Sequence, residues 1–127
     1  MTNHKVKCAN FEIANNRSFT LIAGPCQLES EQHALDISKE LKQITLDLKI
    51  NLIYKTSFDK ANRTSIKGER GIGLEKSLSI FDKIRNEVGV PVLTDVHTAE
   101  QCAILAPHVD VLQIPAFLCR QTDLLIA

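Results

Sequence analysis

Four short apolar runs, each followed by a longer amphipathic segment, constrain the fold of this chain more than any other feature. The runs lie at 19–24, 52–57, 90–95 and 109–114, and each gives way to glycine, proline or polar residues. Short runs of nearly continuous apolar character are typical of strands that are buried on both faces. Because helical segments separate the runs, the β-α-β-α-β-α-β-α order predicts a parallel sheet with right-handed crossovers.

The first two helical segments carry clear start and stop signals. Ser30 is a predicted N-cap for the first helix. The apolar stripe of that helix consists of Ala34, Ile37, Leu41, Ile44 and Leu48. The second helix is predicted from about 74 to 88, and Gly89 is expected to end it.

The last two helical segments are shorter. Thr98 and Gln101 form a predicted capping box. In this motif the Thr98 side chain bonds the backbone N–H of Gln101, and the Gln101 side chain bonds the backbone N–H of Thr98. The third helix therefore begins at Thr98, and Pro107 terminates it. Residues 121–127 begin like a fourth helix.

The repeating units do not start at the first residue. Residues 1–18 are predicted to be an N-terminal extension, with a strand within 6–13 and a turn at Asn15-Asn16. These features indicate a small β-hairpin. Residues 19–127 then contain the four strand–helix units.

Two architectures fit such a series of units. A doubly wound sheet of the flavodoxin or receiver type suits the length, but a receiver would place acidic residues where this chain has Gly24-Pro25-Cys26. A (β/α)₈ barrel needs about 250 residues, roughly twice the 127 present. The apolar end of the sequence, 124–127, lacks a cap or polar tail, which favours the second architecture. We therefore expect an α/β chain that forms the N-terminal half of a (β/α)₈ TIM barrel, with its first and fourth strands as open edges.

Composition excludes several classes of function. The net charge is zero at pH 7, whereas nucleic-acid and membrane-surface proteins usually carry a large basic excess. No apolar run approaches the ~20 residues needed to cross a bilayer, and the N-terminus has no apolar signal segment. The four cysteines are widely spaced, as expected of reduced thiols in a cytoplasmic protein.

Polar residues with chemical potential follow the ends of the predicted strands. They are Cys26 after the first strand, Lys55 and the rest of 55–64 after the second, Asp95 and His97 after the third, and Gln113 and Ala116 after the fourth. Since the carboxyl ends of parallel strands meet at one edge of a sheet, these residues are expected to lie together.

The loop that begins at Lys55 is the most basic segment of the chain. Residues 55–70 contain five basic and two acidic side chains, interspersed with serine, threonine and asparagine. Lysine and arginine beside hydroxyl and amide donors suit a phosphate group. The alternative is a solvated charged loop.

Each single residue also has a structural interpretation. Cys26 could be a small buried apolar group, Asp95 a brace for the next loop, and His97 a hydrogen-bonding loop residue. Gln113 follows apolar residues of a strand, where a buried amide without a partner costs ~1–3 kcal/mol. A ligand or a polar neighbour is therefore expected beside Gln113.

Four segments together resemble a known enzyme family. AGPCQLES, KTSFDKANRTS, TDVH and QIPAFLCRQTDLL occur in the order and spacing of the 3-deoxy-manno-octulosonate 8-phosphate (KDO 8-phosphate) synthases. The resemblance covers about 19–127 and implies the first half of that family's barrel. It implies condensation of phosphoenolpyruvate with arabinose 5-phosphate in the synthesis of lipopolysaccharide precursors. The sister family of 3-deoxy-arabino-heptulosonate 7-phosphate synthases shares the GPC-x-x-E-S opening but has a K-P-R-T-S-P type motif in place of KTSFDKANRTS.

The resemblance assigns roles by position. Phosphoenolpyruvate-binding residues are Lys55, Lys60, Gln113 and the Ala116 backbone. Residues that bind arabinose 5-phosphate are Asn62, Arg63 and Thr64. Catalytic residues are Lys60, Asn62 and Asp95. The segment Lys67-Gly68-Glu69 departs from the histidine-containing pattern of the family.

The resemblance also implies a metal. Members with cysteine at the position of Cys26 are the metal-dependent type, and a thiolate suits Zn, Fe(II) or Mn. The family's other ligands, a His, a Glu and an Asp, lie on later strands that this sequence does not include. The full-length enzyme is expected to be a homotetramer that takes small phosphorylated substrates and neither nucleic acid nor membrane.

The 127-residue chain by itself is expected to have little or no synthase activity, because half of the site is missing. Two other interpretations stay open at this point. The chain could be a non-catalytic remnant, or one half of a split enzyme that a second polypeptide completes.

Overall fold

The computed structural model describes residues 3–59 and 72–127. A π-helical turn, Ile84–Val88, continues the second helix, and a 3₁₀ turn, Ala116–Leu118, follows the last strand. The strands are β1 Val6–Cys8, β2 Phe11–Ile13, β3 Thr20–Ala23, β4 Asn51–Lys55, β5 Val92–Asp95 and β6 Val111–Gln113. The helices are α1 Glu31–Asp47, α2 Leu74–Lys83, α3 Ala99–Leu105 and α4 Thr122–Ile126.

The main sheet has four parallel strands in the order β3-β4-β5-β6. Consecutive strands are therefore neighbours throughout, and the strand order never reverses. A doubly wound sheet contains such a reversal at its switch point, so the sheet order contradicts that alternative. The architecture is four consecutive units of a (β/α)₈ barrel, as the sequence predicted.

The two faces of the sheet have different coverings. Tyr54 and Val92 face the helices and pack in a cluster with Phe81. Residues on the other face, which is the interior face of the barrel, include Ile53 and Leu93. Since side chains alternate along a strand, the positions 53 and 55, and likewise 93 and 95, share the interior face.

The N-terminal hairpin packs against the interior face. Cys8 of β1 is buried with Ile53 and Leu93, so the hairpin covers the interior face around these two residues. The predicted hairpin is confirmed, and a turn does lie at Asn15-Asn16, where the Arg17 N–H bonds the Ala14 carbonyl at 3.1 Å. This turn follows β2, however, and does not connect the two strands. β1 and β2 pair directly across Ala9-Asn10, and Ala9 adopts a positive φ of 47°. Alanine rarely takes this conformation, which is why the sequence signal favoured the asparagines.

Helix α1 begins as predicted. The Ser30 hydroxyl accepts a hydrogen bond from the His33 N–H at 3.2 Å. The predicted apolar stripe is wrong at its C-terminal end, because Ile44 and Leu48 are 51% and 62% exposed. Thr45 is buried instead and donates its hydroxyl to the Leu41 carbonyl, so a polar residue occupies the packed face at little cost.

Helix α2 and its π-helical turn end at Gly89, as predicted. Gly89 has φ 74°, and its N–H bonds the Ile84 carbonyl at 3.0 Å. A residue in the left-handed region suits glycine best. This stop places Val90 and Pro91 at the entrance to β5.

Strands β3 and β6 are the edges of the described sheet, as expected. Ile22 on β3 is 52% exposed, and beyond β6 Phe117 and Ile126 are 80% and 79% exposed. Apolar surface thus lies along both sides of the four-unit sheet. None of the helices in 3–59 and 72–127 combines the length and apolar character that a membrane span requires.

Candidate active site at the carboxyl end of the sheet

Three polar side chains lie on the interior face at the ends of adjacent strands. Asp95 is the register partner of Gln113, and Lys55 pairs with Leu93. The side-chain alternation of parallel strands therefore puts Lys55, Asp95 and Gln113 on one face. A cation, a carboxylate and an amide at this edge provide complementary groups for an anionic, hydroxyl-bearing ligand.

Gly24 sets how closely the first two strand ends approach each other. A Cβ atom at position 24 would lie 1.8 Å from the Lys55 carbonyl oxygen. Only glycine permits this contact, because any side chain would collide with the backbone of β4. The segment after Gly24 continues beside the residues that follow β4, where the Leu28 N–H bonds the Ser57 carbonyl at 2.9 Å.

Cys26 lies in this segment between Gly24 and the fully buried Leu28. Its thiol is exposed and reduced, which contradicts the alternative that Cys26 is a buried apolar group. Across residues 3–59 and 72–127 no group of three His, Cys, Asp or Glu side chains is placed to hold a metal ion. The described residues therefore do not complete a metal site around Cys26.

Asp95 and His97 form a close pair above β5. The His97 Nε2 lies 2.8 Å from the Asp95 Oδ2, and the two side chains are 12% and 14% exposed. The other carboxylate oxygen, Oδ1, is buried and has no hydrogen-bond partner in the described part of the chain. A buried acceptor without a partner is costly, so this oxygen marks a position for a ligand or a water molecule.

His97 is held in place from two sides. Its backbone N–H donates to the Gln101 Oε1 at 2.8 Å. Its ring lies 5.6 Å from the Phe58 ring, tilted by 57°. Sequence reasoning missed Phe58, which is 1% exposed; an aromatic residue within the basic loop, three positions after Lys55, was the available signal.

The capping box predicted at the start of α3 is wrong in detail. The Thr98 side chain makes no cap hydrogen bond to the helix backbone described here. The pKa of Glu100 is lowered, first by its backbone N–H and then by the Thr98 hydroxyl. Gln101 bonds the N–H of His97, one residue before the cap, because the loop places that donor within its reach.

Gln113 and Ala116 occupy the end of β6 and the 3₁₀ turn after it. Both are exposed, so the Gln113 amide does not need a polar partner within the described structure, and a ligand contact stays a prediction. β6 is an edge of the described sheet and only its other side is covered by β5. The Gln113 carbonyl accepts the Val96 N–H at 3.0 Å, which ties β6 to the loop that carries His97.

The remaining predicted site residues lie outside the described residues. They are Lys60, Asn62, Arg63 and Thr64. The departing segment 67–69 lies there too. The structure therefore brings together Lys55, Asp95, His97 and the Gln113 position, and places Cys26 on the neighbouring strand end.

Comparisons with known proteins agree with this arrangement. Residues 3–127 match the profile of the DAHP synthetase I family. A 2-dehydro-3-deoxyphosphooctonate aldolase from Brucella anthropi is 62% identical over 125 residues, which are 98% of this chain and 45% of that protein. The proteins of the same name from Brucella ovis and Brucella canis are 61% identical over the same shares.

These matches confirm the resemblance to the KDO 8-phosphate synthases, for which 2-dehydro-3-deoxyphosphooctonate aldolase is another name. The chain spans somewhat less than half the length of the curated relatives it matches. The family profile covers nearly all of its residues, and the chain therefore belongs to the DAHP synthetase I family.

Proposed function

We propose that this chain supplies the first half of a barrel that condenses phosphoenolpyruvate with arabinose 5-phosphate. Water is consumed, and the products are 3-deoxy-manno-octulosonate 8-phosphate and inorganic phosphate. The observation that carries this proposal is the 62% identity, over 98% of the chain, to a protein named 2-dehydro-3-deoxyphosphooctonate aldolase. The grouping of Lys55, Asp95 and Gln113 at adjacent strand ends supports it.

Lys55 is suited to bind phosphoenolpyruvate. It is partly buried at the last position of β4, where an ammonium group is less screened than on the surface. The C3 of phosphoenolpyruvate attacks the aldehyde carbon of the sugar, and fixed cations hold the two anionic reactants in the required orientation. The Gln113 amide and the Ala116 backbone are proposed as further contacts to the same substrate.

Asp95 is suited to orient a hydroxyl group or the attacking water. Its Oδ1 is an acceptor without a partner among the described residues. The water adds at C2, the C–O bond to phosphate then breaks, and phosphate leaves with that oxygen. A carboxylate that accepts a hydrogen bond from the water fixes the direction of its attack.

The basic loop is proposed to hold the two phosphates. By resemblance, Lys60 binds phosphoenolpyruvate, while Asn62, Arg63 and Thr64 bind arabinose 5-phosphate. Lys60 and Asn62 are also proposed to stabilise the negative charge that develops during the reaction. These four assignments depend on the KTSFDKANRTS motif.

Cys26 is proposed as one ligand of a divalent metal such as Zn, Fe(II) or Mn. The other ligands would come from residues outside this chain. A divalent ion in such a site would supply Lewis-acid stabilisation of an oxygen, and the roles of Lys55 and Asp95 above do not depend on it.

Further parts of the proposal concern the complete protein. It is proposed to act in the cytoplasm on lipopolysaccharide precursors, to bind small phosphorylated substrates and neither nucleic acid nor membrane, and to assemble as a homotetramer. The domain boundary between 18 and 19 stays a prediction.

A chimera tests the proposed reaction. Residues 1–127 are joined to the remaining part of the Brucella anthropi relative, and phosphate release from phosphoenolpyruvate is measured with each aldose phosphate. We expect release with arabinose 5-phosphate and none with erythrose 4-phosphate. The 127 residues alone should release no phosphate with either sugar.

The same assay tests the second candidate function, condensation of phosphoenolpyruvate with erythrose 4-phosphate. The family profile is described as DAHP synthetase, which favours erythrose 4-phosphate as the alternative acceptor. Release with erythrose 4-phosphate alone would overturn the proposed substrate. Release by the purified 127-residue chain would overturn the expectation that this half is inactive by itself.

A further inference from the structure

We propose that His97 is a positioning residue for Asp95. Its Nε2–H holds one oxygen of the carboxylate, so that the other oxygen is presented to the substrate or water in one orientation. This inference rests on the proposed function and deepens it, because it assigns a role to a residue outside the predicted substrate and metal contacts.

The first support is that only one of the two carboxylate oxygens of Asp95 has a hydrogen-bond partner in the described residues. Oδ2 lies 2.8 Å from the His97 Nε2, while Oδ1 is buried without a partner in 3–59 and 72–127. A carboxylate is an acceptor only, so the proton of this bond belongs to Nε2. The bond stops rotation of the carboxylate about its last torsion angle, which is otherwise broad.

The second support is the rigidity of His97 itself. Gln101 accepts its backbone N–H at 2.8 Å, and Phe58 packs against its ring. The intervening Val96 is 1% exposed and bonds the Gln113 carbonyl. A donor fixed at the backbone and at the ring can fix the group to which it bonds.

The third support comes from the other histidine–aspartate pair in the described residues. His108 Nδ1 lies 2.8 Å from Asp82 Oδ2, and this pair joins α2 to the segment after α3. Such a bond braces two separate elements and has an obvious structural role. Asp95 and His97 are two residues apart in one connection, so their bond links no separate elements and instead sets the orientation of a side chain.

Kinetics of the chimera described above test the inference. His97→Phe keeps a ring against Phe58 and removes the donor. We expect kcat to fall by about 100-fold, the size of effect that follows a small misplacement of a reacting group, with KM for phosphoenolpyruvate unchanged. His97→Gln restores an N–H donor and should recover part of kcat. The matched control, His108→Phe, should leave kcat and KM at the wild-type values.

Two kinetic outcomes would overturn the inference. One is a wild-type kcat in His97→Phe. The other is a rise in KM with kcat unchanged, which would make His97 a binding residue instead. A thermal unfolding curve for each variant shows whether a loss of kcat comes from unfolding. If a variant does not fold, the inference is tested by nitrogen NMR of the wild-type chain.

Nitrogen NMR of the imidazole in the wild-type 127-residue chain needs neither substrate nor variant. We expect the neutral His97 ring to carry its proton on Nε2. A proton on Nδ1 would remove the bond to Asp95 and overturn the inference. Failure of the proposed function is seen separately, as a wild-type chimera that releases no phosphate, and the tautomer then decides by itself whether the pair exists.

Discussion

Two aspartates at opposite ends of the sheet show how position changes the role of the same side chain. Asp110 lies just before β6, and Asp95 is the last residue of β5; their side chains are 15% and 14% exposed. Asp110 accepts hydrogen bonds from the Val92 N–H at 2.9 Å and from an Arg85 Nη at 3.4 Å, and the Arg85 Nε lies 3.2 Å from the Asp110 Oδ2. Asp95 has one partner, His97, and an unpaired buried oxygen in the described residues.

The surroundings of the two aspartates differ in the same way. At the amino end, Arg85 also donates to the Pro107 carbonyl at 2.8 Å, and the N-terminal hairpin covers the interior face. Burial, followed by the Asp110 charge, raises the pKa of the hairpin's Cys8 thiol. Asp110 and Arg85 at the amino end bond each other and their neighbours, whereas Asp95 at the carboxyl end keeps a buried acceptor oxygen without a partner among the described residues.

The largest effect is expected from Asp95→Asn. In the chimera, kcat should fall by about 100- to 1000-fold, as when a group that stabilises the transition state is lost. The free energy of unfolding should change by less than about 1 kcal/mol, since only one hydrogen bond of the folded protein is altered. Phosphate release and urea denaturation measure the two quantities. A large loss of stability with a normal kcat would show that Asp95 supports the fold as Asp110 does, and would contradict the difference in role between the two aspartates.

Asp110→Ala is expected to have the opposite profile. It removes the acceptor of a backbone N–H and leaves a partly buried guanidinium without its carboxylate partner, so we expect a loss of about 3 kcal/mol in the free energy of unfolding. Urea denaturation of the 127-residue chain measures it. The exposed Asp36→Ala is the control and should change stability by less than about 0.5 kcal/mol. Equal values for the two variants would contradict the role given to Asp110.

Gly24→Ala tests the close approach of β3 and β4 at the carboxyl end of the sheet. The new methyl group would lie 1.8 Å from the Lys55 carbonyl oxygen, so the ends of β3 and β4 must separate. Such overpacking costs about 1–3 kcal/mol, and it should also weaken phosphoenolpyruvate binding because Lys55 moves. Denaturation and KM for phosphoenolpyruvate are the measurements. Unchanged stability would show that the two strands adjust without strain.

The smallest effect is expected in the hairpin at the amino end. Hydrogen bonds from Arg17 and Lys5 lower the pKa of Glu12 below its ordinary value of 4.5. Stabilisation from the charged carboxylate is therefore present above pH 4.5 and is lost as the pH falls through the lowered pKa. The wild-type denaturation midpoint should decrease slightly over that window, and the decrease should be smaller in Glu12→Gln. An identical pH response in both proteins would contradict this.

Much of the fold was predictable from local signals. The order of strands and helices, the Ser30 cap and the stop at Gly89 each depend on a few neighbouring residues and on backbone geometry. The placement of Lys55, Asp95 and Gln113 at one edge also followed from the sequence, because parallel strands align their carboxyl ends. The four motif segments carried the family resemblance.

Other features depend on contacts between residues that are distant in the chain, and only the tertiary structure decided them. Packing of α1 against the sheet buries Thr45 and leaves Ile44 exposed. Pairing of β1 with β2 puts the hairpin turn at Ala9-Asn10. The exposure of Gln113 reflects the edge position of β6. The bond between His97 and Asp95 needs a loop held by Gln101, and no local pattern encodes which oxygen of a carboxylate is left without a partner.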